Sequence, residues 1–566
     1  MAGSVAAAPM AIGLAPHLVA APILLPLLAG SLAAAVGGWN RTLSRIIGLA
    51  AVFGHLAVAS WLYGLAQTDL VHVYAMSNWP APFGIVLVLD RLSATMLLLT
   101  SIMATLGLVY ANSAWSAEGR RFQALWQFQL MGLSGAFLTG DLFNLFVFFE
   151  VLLGASYALL LHGGGRARVG STFHFVAINL TASAVFLIAV AVLYAVFGTL
   201  NMAHLSELVG QTDARDIGLV AVAGVLLLSV FLIKSGLAPF HFWVPASYGS
   251  AAAPVVALVV AKVGAYAIVR VFPLLFGAHE GAADAPAAAL AGMAEPWVIT
   301  LAILTLVVGS AGALAAQTLR QLAAMLTLVS IGTLFLPLAV GSAESLSAAS
   351  FYLVHSTVAT ATLFVVAEWV GTNRGERGDR LLPGERIAHP IILGGALLWA
   401  LTTSVGLPPT SGFIGKVLVL ASLDTAGAWY GWLWAAVLLS SFCSLVAVSR
   451  ALSLLLWNNP ETEPGQSNED TPWVRPPSQQ HLLAPVQSDT HWPVGAVTAT
   501  ALMVAISAAL VIGAGWVKSE SERLATQIDN RAAYRAAVLG RSRETLQPLL
   551  RPSPAATVPP VGEGGR

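Results

Sequence analysis

The sequence contains very little charge. Only 10% of its 566 residues are Asp, Glu, Lys or Arg, and 57% are hydrophobic, whereas soluble globular domains carry about 25% charged residues. Many apolar runs reach the roughly 20 residues that a helix needs to cross a bilayer. These runs do not alternate between apolar and polar residues, which excludes an outer-membrane β-barrel. The composition therefore predicts an all-α polytopic membrane protein surrounded by lipid.

The sequence is also poor in groups that hold cofactors. Its single cysteine, Cys443, excludes an intrachain disulfide and a cysteine-ligated cluster. Because it has no dinucleotide-binding glycine motif, Walker loop or haem motif, we expect no cofactor, no metal and no catalytic residues. A net charge of zero without a basic stripe indicates no nucleic-acid partner, and the N-terminus lacks the basic stretch of a signal peptide. Any driving force must come from an ion gradient or a partner subunit.

The apolar runs predict about fourteen membrane spans. We place their centres near residues 28, 53, 101, 132, 151, 185, 227, 264, 305, 330, 358, 402, 438 and 504. Arginines cluster in the connections after spans 1, 3, 5, 9 and 11, which places these loops in the cytoplasm and both termini outside. The basic residues of the C-terminal segment favour the opposite orientation.

Lysine is scarce, and its positions are unusual. The chain has four lysines, and Lys234, Lys262 and Lys416 lie within apolar runs. A basic residue at mid-bilayer costs about 2.5 to 3.5 kcal/mol on the insertion scale. Burial disfavours the charged form of lysine, which can then gain and lose a proton, whereas arginine cannot. We therefore interpret the three lysines as proton-transfer sites; the alternative is a lysine that reaches the interface or forms a static pair.

Two of these lysines lie near sequences that interrupt a helix. Lys234 precedes Pro239, and Lys416 follows Pro408 and Pro409. Broken spans at corresponding positions of two halves are typical of transporters built from inverted repeats. Spans 4–8 and 9–13 are the predicted five-helix repeats, with spans 7 and 12 broken. A simple proline kink is the alternative.

Span 5 contains a glutamate near its middle, in GDLFNLFVFFEVLLGASYALLLHGG. Glu150 lies nine residues after Asp141, or about 14 Å along a helix. An unpaired carboxylate at this depth would stay protonated. Beside Lys234 it can ionise, and such a pair has two close states that a passing proton can interconvert. A static pair is the alternative.

Other ionisable residues have weaker assignments. His355 lies within span 11 and is either a relay or a hydrogen-bonded core histidine. His241 follows the break in span 7 and could bond the freed carbonyls. Asp90 and Asp141 begin helices, where capping is the favoured interpretation. Glu368 ends span 11 and is expected to face the headgroups.

Several stretches resemble the antiporter-like membrane subunits of respiratory complex I and of the multi-subunit Mrp-type cation/proton antiporters. The resemblance covers about residues 85 to 455, and the D-type (PhaD-like) subunit of the Mrp antiporters is the most similar. It rests on the span 5 stretch quoted above and on the following segments: GTLNMA, FLIKSGLAPFHFWVPASYGSAAAPVVALVVAKVGAYAIV, VHSTVATATLFVV and GLPPTSGFIGK.

The resemblance implies fourteen helices, two inverted five-helix repeats, and a central proton path through Glu150, Lys234, Lys262 and Lys416. It also implies assembly with other membrane subunits, exchange of Na⁺ or K⁺ for protons, and a place in a bacterial inner membrane. Two positions depart from the family pattern. Thr360 stands near the place of a span 11 lysine, and Ser330 replaces a polar Gln or His of span 10. Both departures imply a larger role for water and His355.

The predicted segments follow the spans. They are 1–120 with spans 1–3, 121–280 with the first repeat, 295–456 with the second repeat, 457–493 as a disordered loop, 494–518 as span 14, and 519–566 as a surface helix and flexible tail. The leading hypothesis is a subunit of a monovalent cation/proton antiporter rather than an enzyme. The alternatives are a proton-pumping subunit of a complex I-type NADH:quinone oxidoreductase, and a scaffold with static ion pairs.

Overall fold

A computed structural model of the protein describes residues 16–114, 119–259, 262–277, 286–383, 390–457 and 493–546. Nearly all of the predicted loop at 457–493, and the predicted tail after residue 546, lie outside the described residues. Ten described helices are long and apolar enough to cross a membrane. All fourteen predicted centres fall within helices, so the chain is an all-α, multi-pass membrane protein.

The N-terminal part contains three long helices and a small hairpin. The helices are α1 (Ala21–Val36), α2 (Arg41–Ala66) and α3 (Arg91–Ala114). Between α2 and α3, strands β1 (His72–Ala75) and β2 (Val86–Leu89) pair antiparallel, with His72 opposite Leu89. The polar, mixed sequence of this connection gave no indication of the hairpin. The strands have only four residues each, which is too short for their alternation to stand out.

Two groups of helices follow and have the same plan. The first group comprises α4 (Phe122–Leu138), α5 (Leu142–Leu161), α6 (Arg166–Phe197), α7 (Met202–Val209), α8 (Ile217–Ser235), α9 (Trp243–Ser250), α10 (Ala253–Val259) and α11 (Lys262–Phe276). The second comprises α12 (Glu295–Ala315), α13 (Leu319–Val340), α14 (Ala343–Thr372), α15 (Pro390–Val405), α16 (Ser411–Ala421) and α17 (Tyr430–Leu452). The long α6 packs along α8 and α9, as the long α14 packs along α15 and α16.

Both groups contain a broken helix, as the sequence predicts, and both breaks have the same local structure. Each follows the pattern Gly-Leu-x-Pro, at Gly236 and at Gly406. Both glycines have a left-handed backbone, with φ of 75° and 84°. The next amide in each case donates to the carbonyl five residues earlier: Leu237 N to Leu232 O at 3.1 Å and Leu407 N to Thr402 O at 3.0 Å. This is a Schellman end, in which glycine takes the left-handed position without a steric cost.

The chain ends with three more described helices: α18 (Val494–Ile512), α19 (Ala514–Asp529) and α20 (Arg531–Leu546). The predicted single surface helix is thus two helices, and Leu524 and Tyr534 are buried within the fold. Helix α19 packs on α3, α11 and α14, and α20 packs on α7 and β1. Because spans alternate in direction, α19, α20, α7 and the hairpin lie on the face opposite the arginine-rich loops.

Candidate functional site

The three lysines within apolar runs are buried in the helical core. Lys234 near the end of α8 is 7% exposed, Lys262 at the start of α11 is 3% exposed, and Lys416 in α16 is 6% exposed. The fourth, Lys518, lies on α19 and pairs with Glu522 at 3.2 Å, with about half of each side chain exposed. A buried ammonium group needs acceptors for its three N–H donors. The groups that accept hydrogen bonds from the three core lysines therefore define the site.

Glu150 and Lys234 lie on either side of a serine. The Ser183 hydroxyl, from α6, donates to Glu150 Oε1, and Lys234 Nζ donates to Ser183 Oγ at 3.5 Å. The Lys234 ammonium also lies 5.0 Å from the centre of the Phe149 ring. Among the described residues no direct ion pair joins Glu150 to Lys234. The two groups predicted to pair are therefore brought together through a hydroxyl that could pass a proton between them.

Glu150 is more exposed than the three core lysines. It is partly exposed in this chain, on the face of α5 that also carries the exposed Phe143 and Val147. This face lies on the side of the helix bundle, at the depth of the bilayer core. A lipid-facing carboxylate at this depth is costly.

The next group of polar contacts lies between the two repeats. Lys262 Nζ donates to Ser356 Oγ at 2.9 Å. The neighbouring His355, 3% exposed, has its Nδ1 2.9 Å from Ser411 Oγ at the start of α16. A cavity of about 20 Å³ lies beside Lys262 and Thr357, which is room for one water molecule. Lys262 and Thr357 thus border a water-sized space, and His355 lies one residue before the serine that Lys262 contacts.

Lys416 lies at the second broken helix and contacts the break directly. Its Nζ donates to the Val405 carbonyl at 2.7 Å and to Ser441 Oγ at 2.7 Å. Val405 is the last residue of α15, so the ammonium takes up a carbonyl that the interrupted helix leaves without an intrahelical donor. Lys416 thereby joins α15, α16 and α17 at the break.

At the first break a tryptophan side chain contacts the end of the helix. Trp243 Nε1 donates to the carbonyl of Ile233 near the end of α8 at 3.1 Å. His241, which the sequence suggested as a partner for freed carbonyls, lies partly exposed in the short turn before α9. The indole of Trp243, rather than His241, therefore bonds the Ile233 carbonyl.

Among the described residues, Asp141, Ser330 and Thr360 take no part in the hydrogen bonds of the lysines and His355. Asp141 caps α5, accepting from Asn144 N at 2.9 Å, as the capping interpretation predicts. Ser330 in α13 is 8% exposed and Thr360 in α14 is 5% exposed. In the described part of the chain, no hydrogen bond joins either side chain to the lysines or to His355. Within the same residues, no group of three or more His, Cys, Asp or Glu is arranged to hold a metal.

Sequence reasoning missed a tight ion pair on the face that carries α19 and α20. Arg270 Nη1 and Nη2 bond the two oxygens of Asp90 at 2.6 and 2.7 Å. Asp90 also caps α3, accepting from Ser93 N at 2.9 Å, so the capping prediction is confirmed but incomplete. Arg270 Nε donates to the Tyr266 hydroxyl at 3.3 Å. The signal was present, because Arg270 is a basic residue within the same apolar run as Lys262.

The prediction for Glu368 was wrong. It does not face headgroups but is 6% exposed, between α14 and the start of α10. Its Oε2 accepts a hydrogen bond of 2.7 Å from Ala253 N. The end of a helix predicts the edge of the buried layer, but the loop that follows α14 is itself packed into the fold, and its Arg374 is fully buried.

Comparison with known proteins defines the family. Residues 139–444 match the family described as NADH:quinone oxidoreductase/Mrp antiporter, TM, and the chain belongs to this family. It is 38% identical over 475 residues to the D-type subunit of a probable K⁺/H⁺ antiporter of Rhizobium meliloti (strain 1021), covering 78% of this chain and 87% of that protein. It is 32% identical over 528 residues to the D-type subunit of the Na⁺/H⁺ antiporter of Bacillus subtilis (strain 168), covering 92% and 99%.

The fold comparison agrees with the sequence comparison. A chain in the structure of the Mrp complex from Dietzia sp. DQ12-45-1b superposes with a TM-score of 0.78 at 25% identity, covering 94% of this chain and 100% of that chain. The resemblance to the D-type antiporter subunits is thus confirmed, together with the helical membrane fold.

Proposed function

We propose that this protein is a membrane subunit of a multi-subunit antiporter that exchanges Na⁺ or K⁺ for protons in a bacterial inner membrane. Its part is to move protons through a relay of Glu150, Lys234, Lys262, His355 and Lys416. One observation carries the proposal: the described helices place three lysines and a histidine in the core, each hydrogen-bonded to a serine hydroxyl. A static brace would favour direct ion pairs, whereas hydroxyls both accept and donate and can hand protons on.

The proposed relay has two parts, one within the first repeat and one between the repeats. Glu150, Ser183 and Lys234 form the first part. Lys262, His355 and Lys416, with their serines, form the second. Lys416 bonds a carbonyl of the broken helix, so loss or gain of its proton changes the strength of that bond. Such a change is what a coupled exchanger needs, because the state of one ion must alter access for the other.

Partner subunits are part of the proposal. The partly exposed Glu150 shares its face of α5 with exposed apolar residues, and this arrangement fits a lateral protein neighbour better than lipid. The structure of a multi-subunit Mrp complex contains a chain of this fold, which supports the same arrangement here. The cation could then pass through this chain or through a neighbour.

The test is cation-dependent proton movement by the assembled complex in everted vesicles, read by a fluorescent ΔpH probe. We expect Lys234→Met to abolish exchange with both Na⁺ and K⁺ while leaving the subunit assembled. Lys518→Met is the matched control, because Lys518 is about half exposed outside the relay, and it should keep wild-type exchange. Wild-type exchange by Lys234→Met would reject the relay.

A complex I-type proton pump is the alternative within the same family. The relatives from Rhizobium meliloti and Bacillus subtilis described above are antiporter subunits by name, which favours the antiporter. Neighbouring genes discriminate further: small antiporter subunits support the proposal, whereas flavin or iron–sulfur subunits support the pump.

A further inference from the structure

Glu368 is a buried carboxylate that the proposed relay does not use. It lies near the C-terminal end of α14, on the membrane face of the arginine-rich loops. Its side chain is 8% exposed, and Arg320 and Asp379 beside it are 21% and 24% exposed. Arg320 and Asp379 therefore lie nearer the surface of the fold, and Glu368 lies deeper.

The contacts of Glu368 leave one of its oxygens available. Its hydrogen bond and its ion pair both fall on Oε2, which accepts from Ala253 N at 2.7 Å and lies 3.8 Å from Arg320 Nη2. Among the described residues, no donor bonds Oε1. A proton can therefore be added at Oε1 while the hydrogen bond from Ala253 N persists.

Arg320 holds its carboxylates loosely. Its guanidinium lies 3.8 Å from Glu368 and 3.9 Å from Asp379, and its buried Nε has no acceptor within hydrogen-bonding distance among the described residues. The same chain contains a tight pair for comparison: Asp90 and Arg270 are joined at 2.6 and 2.7 Å. Bidentate contact of that kind is how arginine fixes a carboxylate in place. The looser geometry at Glu368 leaves the carboxylate able to accept a proton without breaking a strong bond.

Glu368 is also placed in line with the relay. It lies eleven positions after Thr357 on α14, about 16 Å along the axis and on nearly the same helix face. Thr357 lines the water-sized cavity beside Lys262. Glu368 also bonds Ala253, nine positions before Lys262, in the part of span 8 that leads to that lysine.

We propose that Glu368 is the carboxylate that takes up protons for Lys262 from the face of the arginine-rich loops, with Arg320 as its counter-charge. This inference rests on the proposed function and adds its uptake site. A hydronium ion gives its proton to Oε1 and leaves water; the proton then passes inward and the carboxylate is restored. Arg320 stays protonated throughout, so the pair alternates between zero and one positive charge. The other ionisable groups that face the site are Asp379 and the Tyr110 hydroxyl on α3; α10 contributes none.

The experiment uses the whole complex in everted vesicles, whose outer medium bathes the cytoplasmic face to which these loops are assigned. Glu368→Gln should lower cation-dependent proton exchange by at least about tenfold. Millimolar azide, a small diffusible acid, should largely restore the rate, and Glu368→Asp should retain much of it. Glu344→Gln is the matched control, because Glu344 is exposed at the opposite end of the same helix, and it should keep the wild-type rate.

Arg320→Gln gives a second readout that does not require loss of Glu368. Removing the positive charge makes the carboxylate easier to protonate. The pH of half-maximal exchange, varied in the outer medium, should therefore move upward. An unchanged pH profile in an assembled Arg320→Gln complex would overturn the proposal.

Two further outcomes separate this inference from the proposed function. Normal exchange by Glu368→Gln, with exchange absent in Glu150→Gln, overturns the uptake site and leaves the relay standing. If azide does not restore exchange by Glu368→Gln and the Glu368→Asp variant is equally slow, Glu368 is a structural brace, and the uptake site is also overturned. Normal exchange by both Glu150→Gln and Glu368→Gln rejects the relay itself.

Discussion

Ser183 links the two groups on which the first half of the relay depends, and its removal is the most specific perturbation that the structure offers. The Ser183→Ala change deletes the hydroxyl that donates to Glu150 and accepts from Lys234, without altering either charge. A hydrogen bond to a charged group contributes about 1.5 to 3 kcal/mol. Since about 1.4 kcal/mol corresponds to a factor of ten in rate, loss of one such bond should slow exchange about 10- to 150-fold.

The assay for Ser183→Ala is the initial rate of cation-dependent proton movement in everted vesicles, normalised to the amount of assembled complex. Ser183→Thr keeps a hydroxyl and should retain most of the rate. Ser229→Ala is a matched control on α8, because the Ser229 hydroxyl bonds the Val225 carbonyl of its own helix at 2.8 Å. A Ser183→Ala rate within about twofold of wild type would refute the hydroxyl link, since less than about 0.5 kcal/mol would then be at stake.

Two further predictions concern the framework around the relay. Asp90→Asn leaves Arg270 buried without its counter-ion, which should cost about 3 to 5 kcal/mol and lower the melting temperature of the complex in detergent; an unchanged melting temperature would contradict the buried pair. Gly412→Ala should lower exchange and stability together, because a Cβ at this position would lie 2.1 Å from a backbone carbonyl oxygen across the second break. Gly395→Ala, on α15 with open space around its Cβ position, should be close to neutral, and an equal loss at both glycines would contradict the steric argument.

The sequence predicted the spans and the breaks well because each has a strong one-dimensional signal. Twenty apolar residues can only be a helix in lipid, and the two Gly-Leu-x-Pro stretches cannot continue one. The lysines stood out because the chain otherwise avoids lysine. Their burial was predictable for the same reason: a lysine within an apolar membrane helix has little polar surface nearby on which its side chain could lie.

The partners of these residues could not be predicted. Ser183, Ser356, Ser411 and Ser441 are the hydroxyl partners in the core, yet serine is common in membrane helices and bonds its own backbone at many positions. Which serine faces a lysine depends on the rotation of one helix against another. That rotation is a property of tertiary packing, and the apolar pattern of a fully buried helix does not encode it.

Arg270 and Glu368 show that the position of a residue within an apolar run does not by itself predict its burial or its partner. Arg270 could have been found by the reasoning that found Lys262, since each is a basic residue within the same apolar run. Glu368 ends a span, which predicts a place in the headgroup layer, yet it is buried and shares Arg320 with Asp379 of the loop that begins a few residues later. The depth of a residue in a membrane protein depends on what covers the helix end, which the sequence of the helix does not contain.

The central claim is that Glu150 and Lys234 move protons rather than brace helices. The double variant Glu150→Gln with Lys234→Met tests it directly, because it removes both charges and leaves neither unpaired. A static pair replaced in this way often costs little stability, so the complex should assemble. The relay predicts that cation-dependent proton exchange by this assembled complex is lost. Exchange at the wild-type rate would contradict the account and identify the pair as structural.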